Sequence, residues 1–322
     1  MDISEIHDLV ADDLAKINDL INQSLASEVS LIGQLSSYII RAGGKRIRPT
    51  LVALVSKAQN YQGDHHINVG TFIEFIHTAT LLHDDVVDAS NLRRGQDTAN
   101  KVWGDEASVL VGDFLYSRAF EMMVELNDMR IMDIMANATN KIAEGEVMQL
   151  LNSHNINVTE QQYLNVVQHK TAKLFDAAAS SSALVCGADK NIELCFSNYG
   201  KNLGIAFQVA DDVMDFLSES SDTGKNIGDD IAEGKPTLPL IYAIKNSSGH
   251  DQTLITQAIK HGSVDAVDEI VRVLHQTGAI EYCFEVARKY SDAAQSSLAF
   301  VDNSIFKDAL ISLAEFSVER KF

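Results

Sequence analysis

Between Val69 and Asp88, the apolar residues Phe72, Ile73, Phe75, Ile76, Ala79, Leu81, Leu82, Val86 and Val87 cover most of the circumference of a helix. A helix that is apolar nearly all round is a buried one. The stretches around 108–126, 130–151, 160–185 and 192–217 carry the same signature, and clusters such as Tyr61-Gln62-Gly63-Asp64 and Gly187-Ala188-Asp189 punctuate them. No alternating strand pattern of useful length, no repeat of fixed period and no low-complexity linker breaks this order. The longest polar stretch, 218–235, lies between two apolar segments and reads as a functional loop more than a boundary. The pattern predicts an all-α fold, a single large helical bundle spanning residues 1–322 as one domain.

Composition sharpens this picture. Of the 322 residues 46% are hydrophobic, enough for one large core or two smaller ones. The only prolines are Pro49, Pro236 and Pro239, so long helical stretches run without a breaker. A net charge of −19 argues against nucleic-acid binding, which needs a basic face. It also requires that any anion site carry its own positive charge. Cys186, Cys195 and Cys283 are odd in number and lack C-x-x-C spacing, which suggests neither a disulfide framework nor a zinc site and fits a reducing compartment. The start, Met1-Asp2-Ile3-Ser4-Glu5, carries acid where a signal peptide carries base, and no apolar run reaches the length of a transmembrane segment. A cytoplasmic protein is expected.

Two acidic segments carry candidate chemistry. His83-Asp84-Asp85-Val86-Val87-Asp88 ends the first apolar run, and Phe207-Gln208-Val209-Ala210-Asp211-Asp212-Val213-Met214-Asp215 repeats its spacing. Carboxylates fall at i, i+1 and i+4, and the first and last share a helix face. Like charges one turn apart destabilise an isolated helix by about 0.2–0.5 kcal/mol per pair, and burial raises that cost. Either triplet alone also fits a solvated helix end. Two identical triplets in apolar helices suggest two helices facing one another across a cavity, each neutralised by a cation. All-oxygen ligands favour a hard ion such as Mg2+ bridging carboxylates to a substrate phosphate.

A basic segment, Arg41-Ala42-Gly43-Gly44-Lys45-Arg46-Ile47-Arg48-Pro49, concentrates cations in an otherwise acidic chain. Paired glycines allow close backbone approach, and lysine with arginine suits phosphate oxygens. Arg93-Arg94-Gly95, Lys170-Thr171, Lys225 and Gly234-Lys235-Pro236-Thr237 extend the set, although each alone reads as surface. Together the parts describe a site for two diphosphates, one activated by metal and one held without it.

With Gly112-Asp113-Phe114-Leu115, Glu144-Gly145-Glu146 and Gly224-Lys225-Asn226-Ile227-Gly228-Asp229-Asp230 added, the chain resembles the trans-isoprenyl diphosphate synthases, and within them the long-chain, octaprenyl-forming bacterial branch. The resemblance implies an isoprenoid synthase fold, a Mg2+-dependent prenyltransferase and a homodimer. It assigns Asp84, Asp85, Asp88, Asp211, Asp212 and Asp215 to metal binding. Arg93, Lys170, Lys225 and Lys235 would grip an allylic diphosphate, and Lys45, Arg48, His77 and Arg94 would bind isopentenyl diphosphate. Thr171 and Gln208 would line the zone where an allylic cation forms. For product length, the small residues Ala79 and Thr80 lie roughly 6–8 Å below Asp84 along the helix and would leave a tunnel open, with Met122, Met123 and Met135 as candidate floor. A terpene cyclase or head-to-head synthase would not need the basic segment, and a non-catalytic regulatory subunit would be expected to have a broken triplet.

Overall fold

The computed structural model describes residues 1–41, 44–93, 95–217 and 228–319, the side chains of 40 and 41 excepted. Gly43, Arg94, Gly224, Lys225 and Asn226, together with the side chain of Arg41, therefore lie outside the described residues. In chain order the helices are α1 (Ile3–Leu9), α2 (Ala11–Ser24), α3 (Ser30–Arg41), α4 (Ile47–Ala58), α5 (His65–Val87), α6 (Ala99–Trp103), α7 (Asp105–Glu125), α8 (Met129–Asn152), α9 (Glu160–Val167), α10 (Lys173–Val185) and α11 (Lys190–Leu217). Then follow α12 (Asp229–Ala232), α13 (Leu238–Asn246), α14 (Gly249–His261), α15 (Val267–Gln276), α16 (Ala279–Ser297) and α17 (Ile305–Phe316). Pro49 and Pro239 sit in the first turns of α4 and α13, where a missing N–H costs nothing.

α5 is buried as its pattern predicts: Val69, Phe72, Ile73, Phe75, Ile76, Ala79 and Leu82 are all fully enclosed. Each of its larger side chains contributes about 1.5–3 kcal/mol on leaving water. α5 packs chiefly on α7, and α11 on α10 and α16. α11 joins the two apolar clusters of the molecule. Its first half gives Phe196, Tyr199 and Leu203 to one, and its second half gives Val209, Val213 and Phe216 to the other. At 28 residues α11 is about 42 Å long, so it carries Asp211 and Asp215 on a rod anchored in both clusters.

Two local features depart from the sequence pattern. Leu92–Arg93 and Gln96–Asp97 pair as a two-residue antiparallel hairpin, with Gly95 in the left-handed conformation at its turn. The stretch from 160 is also not one continuous α-helix: between α9 and α10, Gln168–Ala172 forms a π-helical turn. Cys186, Cys195 and Cys283 are free thiols. Among the described residues no helix is long and apolar enough to cross a membrane.

Candidate active site

A cavity of about 860 Å3 opens where α4, α5, α8, the π turn and α11 converge. Its wall carries Asp84 and Asp88 from α5, and Asp211, Asp212 and Asp215 from α11. The two acidic helices thus face a common space. Lys45, Arg46, Arg48, His77, Arg93, Lys170, Thr171, Gln208 and Lys235 line it too. Among the described residues the wall holds ten carboxylates and six lysines or arginines. That excess of negative charge is unfavourable around an anionic substrate unless divalent cations enter with it.

The first triplet divides by helix face. Asp84 and Asp88 point into the cavity, one turn apart. Asp85 turns away: it is buried, and its Oδ1 accepts from Arg93 Nε at 2.8 Å and Nη2 at 2.7 Å. Burial pushes the Asp85 carboxyl above the usual range, against the pull of Arg93 and with Asp84 and Asp88 adding to the rise. Asp85, expected with the others to bind metal, is the member of this triplet that does not line the cavity, and it holds Arg93 at the cavity edge.

Lysines neutralise the two inward carboxylates. Lys170 Nζ lies 3.5 Å from Asp84 Oδ2, and donates to Glu146 Oε2 and Gln149 Oε1, both at 2.6 Å. Lys235 Nζ donates to Asp88 Oδ2 at 2.8 Å and pairs with Glu233. Burial works against the Lys235 ammonium, but Glu233, Asp88 and Asp230 outweigh it and hold its pKa above the ordinary lysine value. Burial, aided by Asp84 and opposed by Lys170, pushes Glu146 up to about 7.

The π turn owes its placement to two glycines. A Cβ on Gly145 of α8 would stand 2.7 Å from the Lys170 backbone N, and one on Gly204 of α11 would stand 2.6 Å from Ala172 Cα. Both helices therefore press directly on the turn that presents Lys170 and Thr171. Inserted π turns are frequent at functional positions.

In the second triplet, Asp212 is enclosed. Its Oδ2 accepts from Tyr163 at 2.5 Å and its Oδ1 from Gln208 Nε2 at 2.7 Å. Gln208 Oε1 in turn accepts from Thr171 Oγ1 at 2.8 Å. Burial, with Asp230 adding to it, drives the Asp212 carboxyl well above the usual range, and the two hydrogen bonds oppose that rise. Both oxygens of Asp212, which was expected to bind metal, are engaged by the protein in this structure. Asp215 faces α12, where Asp230 N approaches its Oδ2 at 3.4 Å.

Arg48 Nη1 lies 3.2 Å from His77 Nε2, and its guanidinium stacks 4.4 Å from the centre of the Phe175 ring. Lys45 Nζ sits 5.6 Å over Phe316. Arg46, quoted in the basic segment but given no role, has left-handed backbone (φ 48°) and donates to the buried Glu74 at 2.5 Å. A lone glutamate in an otherwise apolar helix was the available signal for Glu74. Tyr163 had none, since its position has no fixed spacing to either triplet.

The tunnel residues are only partly where they were expected. Thr80 lines the cavity, and its Oγ1 donates to His77 O at 2.8 Å. Ala79, one residue and about 100° away, is fully buried in the core with Met123 and Met135, and Met122 is nearly so; none of the four reaches the wall.

No three of the described His, Cys, Asp or Glu residues converge on one ready-made metal position. The donor set still suits a hard divalent cation: Asp84, Asp88, Asp211 and Asp215 offer oxygen alone around one cavity, and lysines already supply positive charge to two of them.

Comparison with known proteins agrees with this geometry. Residues 29–274 match the polyprenyl synthetase family model. The chain is 44% identical to octaprenyl diphosphate synthase of Haemophilus influenzae, over 100% of this chain and 98% of that one. It superposes with a TM-score of 0.96 on a polyprenyl synthase of Caulobacter crescentus crystallised with calcium and isoprenyl diphosphate, at 42% identity over 99% and 98% of the two chains. A decaprenyl diphosphate synthase of Rhodobacter capsulatus superposes with a TM-score of 0.93, at 38% identity over 99% of each chain.

Proposed function

Since the chain belongs to the polyprenyl synthetase family and is a prenyltransferase, we propose that it lengthens an allylic diphosphate by successive head-to-tail addition of isopentenyl diphosphate. Farnesyl diphosphate is the proposed primer and an octaprenyl (C40) chain for quinone side chains the proposed product. One observation carries this reading: α5 and α11 turn Asp84, Asp88, Asp211 and Asp215 into the same cavity as six lysines and arginines.

In this mechanism Asp84, Asp88, Asp211 and Asp215 would hold Mg2+, which when bound would supply Lewis-acid stabilisation of charge on a leaving diphosphate. Lys170 and Lys235 leave their carboxylate partners, and Arg93, held by Asp85, joins them in orienting the same diphosphate. Arg48, His77 and Lys45, grouped at the start of α4 and on α5, hold the second diphosphate, so that the isopentenyl double bond lies beside the reacting carbon. Thr171 and Gln208 turn oxygen atoms towards the allylic cation. The apolar wall near Thr80, Leu81, Val166 and Phe207 excludes water that would quench the cation. A proton then leaves the condensed chain, with the released diphosphate as acceptor, and restores an allylic product.

A cytoplasmic homodimer belongs to the same proposal. The exposed Leu110, Val147, Leu150 and Leu151 on α7 and α8 are apolar side chains that a second copy would cover. The test is incubation of the purified chain with farnesyl diphosphate, isopentenyl diphosphate and Mg2+, followed by chromatography of the dephosphorylated products. A C40 alcohol, abolished by chelator and restored by Mg2+, is expected. A cyclic hydrocarbon formed without isopentenyl consumption, or no turnover by the chain alone, would overturn the reading.

A further inference from the structure

The four-residue chain Tyr163–Asp212–Gln208–Thr171 has a direction that can be worked out from donor chemistry. The Gln208 amide nitrogen can only donate, and it meets Asp212 Oδ1, while Tyr163 donates to Oδ2, so the carboxyl group of Asp212 fixes which way the Gln208 amide faces. That choice of amide face aims Gln208 Oε1 at Thr171, whose single hydroxyl proton is then used on it. With that proton spent, Thr171 Oγ1 and Gln208 Oε1 present oxygen lone pairs at this point of the cavity. An accepting surface of this kind suits a developing carbocation, whereas a hydroxyl proton or an amide N–H pointing the same way would oppose it.

We propose that Tyr163 and Asp212 are positioning residues that set the polarity of this surface, with Asp212 acting as the anchor of the relay instead of as a metal ligand. The inference rests on the proposed reaction, in that it needs an allylic cation beside Thr171. Tyr163 carries the fixed end: its ring is buried in the C-terminal apolar cluster and its hydroxyl donates to Asp212 Oδ2. Chains of this kind are cooperative, and removing one end releases the rest.

Two variants and one double variant test it. Tyr163→Phe keeps the ring and deletes the donor. Asp212→Asn keeps the shape but puts an NH2 in competition for the two positions that the carboxyl oxygens hold, so the Gln208 amide face is no longer fixed from that side. For both, kcat is expected to fall about 10- to 100-fold, with KM for the allylic diphosphate within about twofold of the parent. The Mg2+ concentration giving half-maximal rate should not move. Nor should the rise in melting temperature produced by Mg2+ with inorganic diphosphate, a readout independent of turnover. Tyr163→Phe should add nothing further once Gln208→Ala has been made, whereas a merely structural role would give additive losses. Unchanged kcat in both single variants, a shifted Mg2+ requirement in Asp212→Asn, or additivity in the double variant would overturn the inference. An inactive parent chain would instead strike at the proposed reaction itself, which keeps the two failures apart.

Discussion

Replacing Gly145 with alanine tests whether helix packing sets the chemistry. The added Cβ would lie 2.7 Å from the Lys170 backbone N, where ordinary contact begins at 3.4 Å. Since the obstacle is backbone and not a flexible side-chain end, the π turn must retreat from α8 by about 0.7 Å, the difference between those contact distances. Lys170 and Thr171 would move with it, away from Glu146 on α8 and out of their present geometry with Asp84 and Gln208. Misplacement of reacting groups by about 1 Å costs on the order of 100-fold in rate, so kcat should fall about 10- to 100-fold. Overpacking should also lower stability by about 1–3 kcal/mol. The assay is incorporation of labelled isopentenyl diphosphate onto farnesyl diphosphate, with thermal melts alongside. Gly33→Ala is the control, since no atom lies within 4 Å of its built Cβ, and it should leave rate unchanged and stability equal or higher. Parental kcat in Gly145→Ala would refute the claim that this contact positions the turn.

Thr80→Phe should shorten the products seen by chromatography, whereas Ala79→Phe should lower the melting temperature through overpacking and leave product length alone. Lys235→Met should cut kcat by about 100- to 1000-fold in steady-state assays while the folded far-ultraviolet spectrum persists, because it removes the ammonium beside Asp88. Asp13 lies 3.1 Å from Lys57 and 3.4 Å from His66. Burial would raise its pKa, but those two partners outweigh burial and hold it below the ordinary value. A depressed folded pKa gives stability that is present above the unfolded value of about 3.9 and is lost as pH falls through the folded one. Asp13→Asn should therefore lower stability at pH 7, by about 1–3 kcal/mol in denaturant titrations, with the deficit shrinking under acid.

Helix existence was legible because α5, α7, α8 and α11 bury enough of their circumference for apolar periodicity to dominate. The π turn was not, since inserting one residue into a helix leaves composition and local propensity unchanged. Only the glycines at 145 and 204, far away in sequence, make room for it. The split of each triplet was half legible. Residues i and i+4 share a face while i+1 points elsewhere, and that geometry already set Asp85 apart from Asp84 and Asp88. Gln208 lies one turn before Asp212, but Arg93 and Tyr163 reach Asp85 and Asp212 across 8 and 49 residues, contacts that no local pattern announces.

The lysines resting on Asp84 and Asp88 make each an internal counter-ion, and that has a thermodynamic consequence. In the proposed reaction, a divalent ion that took the aspartates would liberate ammonium groups for diphosphate, and diphosphate that took the ammonium groups would liberate the aspartates. Each ligand thereby removes the competitor of the other, so affinity for either must rise in the presence of its companion, by one and the same factor. Loading is then concerted, with neither ion alone able to unlock the cavity fully.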